Sequence, residues 1–342
     1  MKNKAVAFAA AIACMAGAAH AQSSVQLMGT VDAFVGGIRL AGDPGTRNVV
    51  NSGGMTTSWF GFKGSEDLGG GLKANFALTS FMQVDSGTPG RFTGDPFFSR
   101  DANVGLSGSW GSFAVGRALA PNFLPTVIFN PFGDSFTFSP LVLHNNVGIF
   151  NGTNWRATTP SDTGWSNEIL YTTPSFGGLT ANLHYQLGEQ ASGSKHNAGF
   201  NLLYFNGPFA AGAFYEQDQI SNPNPVGPFT TNDKKTDWMV AGSYNFNVVK
   251  VYASWGKAKS DLLVPTAKTW SLGALIPAGG GNIMVGTAHT KVSPANVSRK
   301  TTTVGYDYNL SKRTDVYANV MRDSVTGFSS GTSYGFGIRH KF

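Results

Sequence analysis

Cysteine, charge and long apolar runs are all scarce in this sequence. The 342 residues include one cysteine, Cys14, and it lies in an N-terminal segment with the features of a removable leader. The rest of the chain therefore cannot form disulfides or build a thiolate site. Charged residues make up 13% of the chain, roughly half of the ~25% typical of globular domains. Beyond the leader no apolar run is long enough for a transmembrane helix, so neither an ordinary soluble enzyme nor a helical membrane protein fits.

The N-terminal segment has the parts of a secretory signal peptide. Two lysines precede an apolar run from Ala5 to about Ala18, and residues 19–21, Ala-His-Ala, form a small-x-small cleavage site. The run is shorter than the ~18 to 20 residues that span a bilayer, which favours a signal over a membrane anchor. We therefore predict a removed signal peptide at 1–21 and a single domain at 22–342.

The charge balance of the remaining chain is mildly basic. Removal of the two leader lysines leaves 23 Lys and Arg against 19 Asp and Glu, a net charge of +4. These charges are scattered along the chain, whereas nucleic-acid-binding proteins usually concentrate basic residues in one patch or run. We expect no nucleic-acid partner.

Apolar and polar residues alternate in several stretches. In the C-terminal "TSYGFGIRHKF", apolar and aromatic side chains alternate with small and basic ones, Arg339 and Lys341 among them. The stretch "LTANLHYQL" at 179–187 has the same pattern. Successive side chains of a strand point to opposite faces, so each stretch predicts a strand with one apolar and one polar face. In an exported barrel the apolar face lies on lipid and the polar face lines an aqueous lumen.

Short turn signals join these strands into hairpins, because Gly, Pro and Asn favour chain reversal. There are seven, at 65–71, 109–111, 174–178, 206–208, 245–248, 277–281 and 309–313. With a first strand near 25–35 and a last one at 332–342, the total is sixteen. Only a closed barrel satisfies all backbone groups of such strands in lipid. We predict an all-β fold, a 16-stranded antiparallel transmembrane β-barrel wide enough for an aqueous channel.

Four strings carry a family resemblance. They are "GFKGSEDLGGGLKA" from Gly61, "VGLSGSWGSFAVGR" from Val104, "YTTPSFGGL" from Tyr171 and the terminal "YGFGIRHKF". Together they resemble the trimeric general porins of Gram-negative outer membranes, in the form common among β-proteobacteria. The resemblance implies a single porin domain in the cell outer membrane, exported through the periplasm and assembled as a homotrimer. It also implies that the third loop folds into the pore, and that the barrel assembly machinery reads the terminal aromatic residue, here Phe342.

The resemblance further implies a pore constriction. The third loop would start after Arg117 and run to about Asp162, with Asp134 in "NPFGDSF" as its acidic residue. Family porins oppose loop carboxylates with a ladder of basic residues on the facing wall. The matching wall residues are Lys63, Arg100, Arg117 and Arg39. Trp59 occupies a position that is often Arg in these porins, so an aromatic side chain would replace one basic residue of the ladder. Opposite charges across a narrow, low-dielectric pore orient polar solutes and sort ions; the alternative is that each charge is simply solvated.

The facing of Arg100 stays open at this point. If Ala102, Val104 and Leu106 face lipid or a neighbouring subunit, strict alternation turns Arg100 outward with them. If the likeness to family porins holds along this strand, all of them point into the lumen.

Other functional classes fit less well. "GLSGS" at 105–109 lacks the second Gly and the strand-to-helix setting of a nucleophile elbow, and the histidines have neither HExxH nor zinc-ligand spacing. A structural or adhesive protein would show repeats or a large extra domain. We therefore expect no enzyme activity, no cofactor and no metal.

The sequence thus predicts an outer-membrane channel for passive diffusion of small hydrophilic solutes and ions. The alternative is a substrate-selective channel of the same fold, for which the net charge of +4 favours anions. The expected partners are further copies of the chain, outer-membrane lipid and lipopolysaccharide, the assembly machinery, and the solutes themselves.

Overall fold

The computed structural model describes residues 23–145, 163–189, 195–220, 222, 234–260, 266–293 and 296–342. The predicted signal peptide and the distal part of the third loop, 146–162, lie outside the described residues.

Nearly all of the regular structure is β-strand. The strands are β1 (Ser24–Ile38), β2 (Arg47–Ser52), β3 (Trp59–Gly69), β4 (Leu72–Gln83), β5 (Thr88–Pro89), β6 (Asp101–Gly108), β7 (Gly111–Leu119), β8 (Gly164–Thr172), β9 (Leu179–Leu187), β10 (His196–Asn206), β11 (Phe209–Asp218), β12 (Lys235–Asn245), β13 (Lys250–Ser260), β14 (Thr266–Ala278), β15 (Gly281–Ser293), β16 (Val297–Asn309), β17 (Thr314–Val325) and β18 (Gly331–Lys341). Two short helices are α1 (Phe123–Ile128) and α2 (Pro140–Asn145). No helix among the described residues is long and apolar enough to cross a membrane.

These strands form sixteen positions in the wall of a closed barrel, as predicted. β2 and β3 both pair with β1 and together occupy one position, interrupted at residues 53–58. β5 is a two-residue pairing with β4 outside the wall order. Neighbouring wall strands are antiparallel, and β18 pairs with β1 to close the sheet. Closure leaves no unpaired sheet edge, which is the condition for crossing lipid with strands.

The last residue completes this closure. The amide of Phe342 donates to the carbonyl of Gly29, and the amide of Gly29 donates to the carbonyl of Phe342, both at 3.1 Å. The alternating C-terminal stretch is therefore the final wall strand. Its aromatic members Tyr334 and Phe336 are exposed on the outer face.

The two rims of the barrel differ in loop length. Seven tight connections lie on one rim, at the seven predicted turns, and the start of β1 and the end of β18 lie there as well. The connections on the other rim are mostly longer, above all the segment between β7 and β8. In outer-membrane barrels the short turns face the periplasm and the long loops face outward, which orients the chain.

The inner and outer faces of the wall have opposite chemistry. On β9, Leu183 and Tyr185 are exposed outward, while Asn182 and His184 are buried on the inner face. Asn182 donates to Oδ1 of Asn201 on β10 at 2.7 Å. Polar side chains of the lumen thus satisfy one another across strands, as buried polar groups must.

The first part of the third loop lies inside the barrel. α1 contacts β10, β11 and β12, while α2 contacts β14, β15 and β16. Between the helices, Phe132 and Phe138 are fully buried in a cluster with Phe34 of β1 and Met321 of β17. An apolar anchor inside a polar lumen holds the loop against the wall and confirms the predicted inward fold.

Candidate pore constriction

The tip of the third loop is hydrogen-bonded to the interruption between β2 and β3. Ser135 Oγ donates to the carbonyl of Gly54 at 2.6 Å, and Thr137 Oγ1 donates to the carbonyl of Gly53 at 2.8 Å. These carbonyls are available because residues 53–58 leave the strand ladder. The break in the wall is therefore the docking point of the loop.

Asp32 on β1 holds that break in place. Its carboxylate accepts the backbone amides of Gly54 at 3.0 Å, Met55 at 2.8 Å and Thr56 at 2.8 Å. The hydroxyl of Tyr317 on β17 donates to the same carboxylate. A fully buried carboxylate with four donors substitutes for the ladder hydrogen bonds that the interruption removes.

The far end of the described loop is attached to β15 and β16. His144 on α2 lies between the hydroxyls of Thr290 and Thr301, at 2.7 and 2.8 Å from its two ring nitrogens. Burial lowers the pKa of His144 well below its usual range, so the ring is neutral and donates from one nitrogen while it accepts at the other. Arg299 also donates to the carbonyl of Leu143 at 3.1 Å.

The loop carboxylate Asp134 is connected to the wall through one hydroxyl. Thr56 Oγ1 donates to Asp134 Oδ1 at 2.9 Å, and Arg339 Nη1 of β18 donates to Thr56 Oγ1 at 3.0 Å. Arg339 also bonds the carboxylates of Asp315 at 3.1 Å and Asp307 at 3.2 Å. One guanidinium thus serves two wall carboxylates and, through Thr56, the loop.

The protonation of Asp134 reflects two opposing influences. Burial raises the pKa of this carboxyl, while the hydrogen bond from Thr56 and the positive charges of Arg339 and Arg100 lower it. Burial is the larger effect, so the pKa of Asp134 lies above its ordinary value.

Arg100 lies on the lumenal side with Trp59. Its guanidinium is 2.6 Å from Asp101 Oδ2 and is stacked 4.1 Å from the ring centre of Trp59. Val104 and Leu106 are nevertheless exposed on the outer face. Both alternatives considered from the sequence assumed that Arg100 belongs to that strand. β6 begins only at Asp101, so Arg100 does not follow its alternation.

Lys63 joins the same group from β3. Its Nζ lies 3.9 Å from Asp101 Oδ2, and its side chain is 44% exposed against 9% for that of Asp101. Trp59 and Lys63 share the inner face of β3 because they are four residues apart on a strand. The structure therefore brings together three predicted site residues, Trp59, Lys63 and Arg100.

Arg117 has different surroundings. Its side chain is buried, with Nε donating to the carbonyl of Ser99 at 2.6 Å and Nη1 donating to the carbonyl of Gly164 at 3.1 Å and to Ser166 Oγ at 3.0 Å. The described contacts tie it to β8 and to the residues before β6. These contacts suit a structural role for Arg117 within the wall. Its predicted role as a charged residue of the pore constriction stays a prediction.

Arg39 lies just beyond the end of β1. Its amide donates to Ser333 Oγ at 3.0 Å, and that hydroxyl donates to the carbonyl of Arg39 at 3.1 Å. These backbone contacts fasten the start of the first external loop to β18. They do not place the Arg39 guanidinium beside Asp134, so its pore role also stays a prediction.

The site prediction made from the sequence did not include three residues of this site, Arg339, Asp32 and Tyr317. Arg339 was expected to face water, but nothing local indicated that it reaches the third loop. Asp32 and Tyr317 are separated by 285 positions, and only the closed barrel brings them together. The available signal was a carboxylate at an inner-face position of an otherwise small and apolar stretch, "GTVDAFVGG".

Comparisons with known proteins agree with this architecture. The family described as Gram-negative porin matches residues 5–327. The chain belongs to that porin family. Among its relatives, Outer membrane porin protein 32 of Delftia acidovorans is 32% identical over 373 aligned residues, covering 100% of both chains. An outer membrane porin protein of Bordetella pertussis is 26% identical, over 99% of this chain and 100% of that one.

A solved structure supports the same conclusion for the fold. An anion-selective porin from Comamonas acidovorans matches 94% of this porin and 100% of its own chain, with 27% identity and a TM-score of 0.76. The predicted family, outer-membrane location and channel function are thereby confirmed. Within the described residues, no group of three or more His, Cys, Asp or Glu side chains is arranged to hold a metal ion.

Proposed function

We propose that this porin is a passive diffusion channel whose narrow zone mildly prefers anions. The observation that carries the preference is the difference in exposure between Lys63 and Asp101. The lysine charge faces the water of the lumen, whereas its carboxylate neighbour lies against the wall. A charge in contact with pore water acts on passing ions more strongly than one covered by its partner.

The other lumenal carboxylates near the loop are similarly covered. Asp32 is fully buried beneath its four donors, and Asp307 and Asp315 share the guanidinium of Arg339. The loop carboxylate of Asp134 is half-buried and accepts a hydrogen bond from Thr56. The lumen therefore offers accessible positive charge and largely compensated negative charge.

Two further facts support an anion preference. The chain without its predicted signal carries a net charge of +4, and the solved relative with 27% identity is described as anion-selective. No chemical step or energy coupling is needed, since solutes small enough to pass the loop follow their gradients.

The test is single-channel recording in planar bilayers across a KCl gradient. We expect a reversal potential of the sign produced by chloride preference, and Lys63→Gln should move it toward potassium. Lys73→Gln is the matched control, because Lys73 is exposed beside the short turn at 69–71 and away from the loop. A potassium-selective wild type, or identical shifts in the two variants, would overturn the preference. A tiny conductance blocked by one solute class would favour the substrate-selective alternative.

The remaining partners are part of the same proposal. We propose a homotrimer, which predicts current closing in three steps; a solved porin from Vibrio cholerae with the same fold, 15% identical and with a TM-score of 0.65, is described as a trimer form. We also propose that Phe342 addresses the chain to the barrel assembly machinery, and that outer-membrane lipid, including lipopolysaccharide, surrounds the wall.

A further inference from the structure

A row of aromatic side chains crosses the outer face of β12 to β15. Trp238 and Trp255 meet edge to face with ring centres 4.8 Å apart. Trp255 is directly opposite Trp270 in the register of β13 and β14. His289 on β15 then stacks on Trp270 at 5.7 Å. Trp255, Trp270 and His289 thus lie level with one another in the register of three neighbouring strands, and Trp238 on β12 lies opposite Lys257, two positions closer to the outer rim.

This row lies near the rim with the long loops. Trp255 is five residues before the end of β13, and Trp270 is four residues after the start of β14. Both of these strand ends belong to the outward-facing rim. Tryptophan at a membrane boundary lies at the level of the lipid headgroups, so the row marks the outer surface of the membrane.

A row of lysines lies immediately beyond the aromatic row. Lys257 is directly opposite Lys268, and Lys268 is directly opposite Lys291. They are two positions closer to the outer rim than Trp255, Trp270 and His289 respectively, a distance of roughly 6.5 Å at the rise of a strand. The lysines are therefore at the height where headgroup phosphates begin.

No acidic side chain balances this row among the described residues. On the adjacent strands, Asp237 of β12 is buried on the inner face, and Asp307 of β16 lies near the short-turn rim, at the other end of the wall. None of the described ion pairs involves Lys257, Lys268 or Lys291. Like charges directly opposite each other on a sheet repel and destabilise the pairing. An anion bound from outside the protein would therefore reduce the repulsion between these lysines.

We propose that Trp238, Trp255, Trp270, Lys257, Lys268 and Lys291 form a lysine–tryptophan patch that binds the phosphate-bearing headgroup of an anionic outer-leaflet lipid. Ammonium groups at a membrane surface attract anionic headgroups, and the aromatic row below them packs against the upper part of the acyl chains. The patch faces lipid, which selects a lipid over a solute as its occupant. The inference rests on the proposed contact of the wall with outer-membrane lipid and is independent of the channel's ion preference.

The test is a titration of the purified full-length protein with diphosphoryl lipid A, followed by native mass spectrometry in detergent. The first variant combines Lys257→Gln, Lys268→Gln and Lys291→Gln. The matched control combines Lys73→Gln, Lys312→Gln and Arg313→Gln, which removes three exposed positive charges near the opposite rim. Lipid A stripped of its phosphates and inorganic phosphate alone are run as comparison ligands.

We expect the first variant to lose about tenfold or more in affinity for diphosphoryl lipid A, because each basic residue near an anionic headgroup contributes separately. The control variant should bind like the wild type, and lipid A without phosphates should bind weakly to every variant. Equal affinity of the two variants would overturn the proposal. Inorganic phosphate binding as tightly as the lipid would also overturn it, since the site would then recognise a small anion.

The same samples separate this proposal from the channel function. The three lysines point away from the lumen, so KCl conductance and reversal potential should be unchanged in the first variant. Loss of lipid binding with normal conductance supports the patch. Failure of the wild type to conduct would contradict the channel proposal and leave the lipid result standing.

Discussion

Thr56 on the inner wall donates a 2.9 Å hydrogen bond to Asp134 at the tip of the third loop. Since Thr56 also accepts from Arg339 at 3.0 Å, the loop carboxylate has its basic neighbour on the same side of the lumen as its docking point. The acidic and basic sides of the narrow zone are therefore not fully separated. Ion preference then depends on which charges stay exposed to water.

Neutralising the loop carboxylate should shift selectivity toward anions. Asp134→Asn removes the negative charge but keeps an oxygen that can accept from Thr56, so the barrel should fold normally. We expect the ratio of chloride to potassium permeability to rise by about a factor of two at low salt, where fixed pore charges are least screened. Reversal potentials across a KCl gradient measure this. Thr56→Ser, which keeps the hydroxyl, is the control, and an unchanged potential in Asp134→Asn would remove Asp134 from the filter.

Acidification should produce the same shift in the wild type. Because the pKa of Asp134 is raised by burial, it takes up a proton at a higher pH than an ordinary aspartate. Anion preference should therefore grow as the pH falls through that raised pKa and decline again as the pH rises.

The control for this pH series is Asp134→Asn. This variant lacks the Asp134 carboxyl and keeps every other group of the pore, so only the step absent from the variant belongs to Asp134. Identical pH profiles for the two proteins would show that the change does not come from Asp134.

Asp32 should be necessary for barrel stability and for a low level of open-channel current noise. Asp32→Asn replaces a charged acceptor of four donors with an amide whose N–H groups face backbone N–H groups. Hydrogen bonds to charged groups contribute about 1.5 to 3 kcal/mol each, so we expect a loss of about 2 to 3 kcal/mol in unfolding free energy after relaxation. Open-channel current noise should also increase, because the docking point of the loop is released.

Tyr317→Phe provides the comparison for Asp32. It removes one donor and leaves the three backbone amides in place, so we expect a loss of about 1 kcal/mol and little added noise. If Asp32→Asn matches the wild type in both denaturant unfolding and current noise, the carboxylate does not hold the interruption.

The wall could be predicted from the sequence because its signals are local. Leu183 and Tyr185 alternate with Asn182 and His184 within a few residues. The apolar side chains face lipid and the polar side chains face the lumen. Turn signals such as "SEDLGGG" likewise act within one hairpin. Strand number, facing and closure all follow from these short-range patterns.

The constriction could be predicted only in part because its contacts are long-range. Whether Arg100 obeys the alternation depends on a strand boundary one residue away, which pattern alone does not fix. Arg117 matches the family's basic ladder by position, yet its guanidinium donates hydrogen bonds to the backbone carbonyls of Ser99 and Gly164. The connection from Arg339 to Asp134 exists only after the third loop has folded inward.

Phe342 should matter more for delivery than for stability. Phe342→Ala keeps the two backbone hydrogen bonds to Gly29 that complete the closure, and Phe342 is 40% exposed. We therefore expect the variant to refold in detergent micelles with nearly wild-type yield, measured by heat-modifiable migration on gels. In cells its amount in the outer membrane should fall severalfold, because the proposed assembly signal is lost. Ile338→Ala, an exposed apolar position on the same face, controls for the loss of lipid contact. Equal losses in cells and in micelles would show that Phe342 stabilises the closed barrel and is not a signal for its assembly.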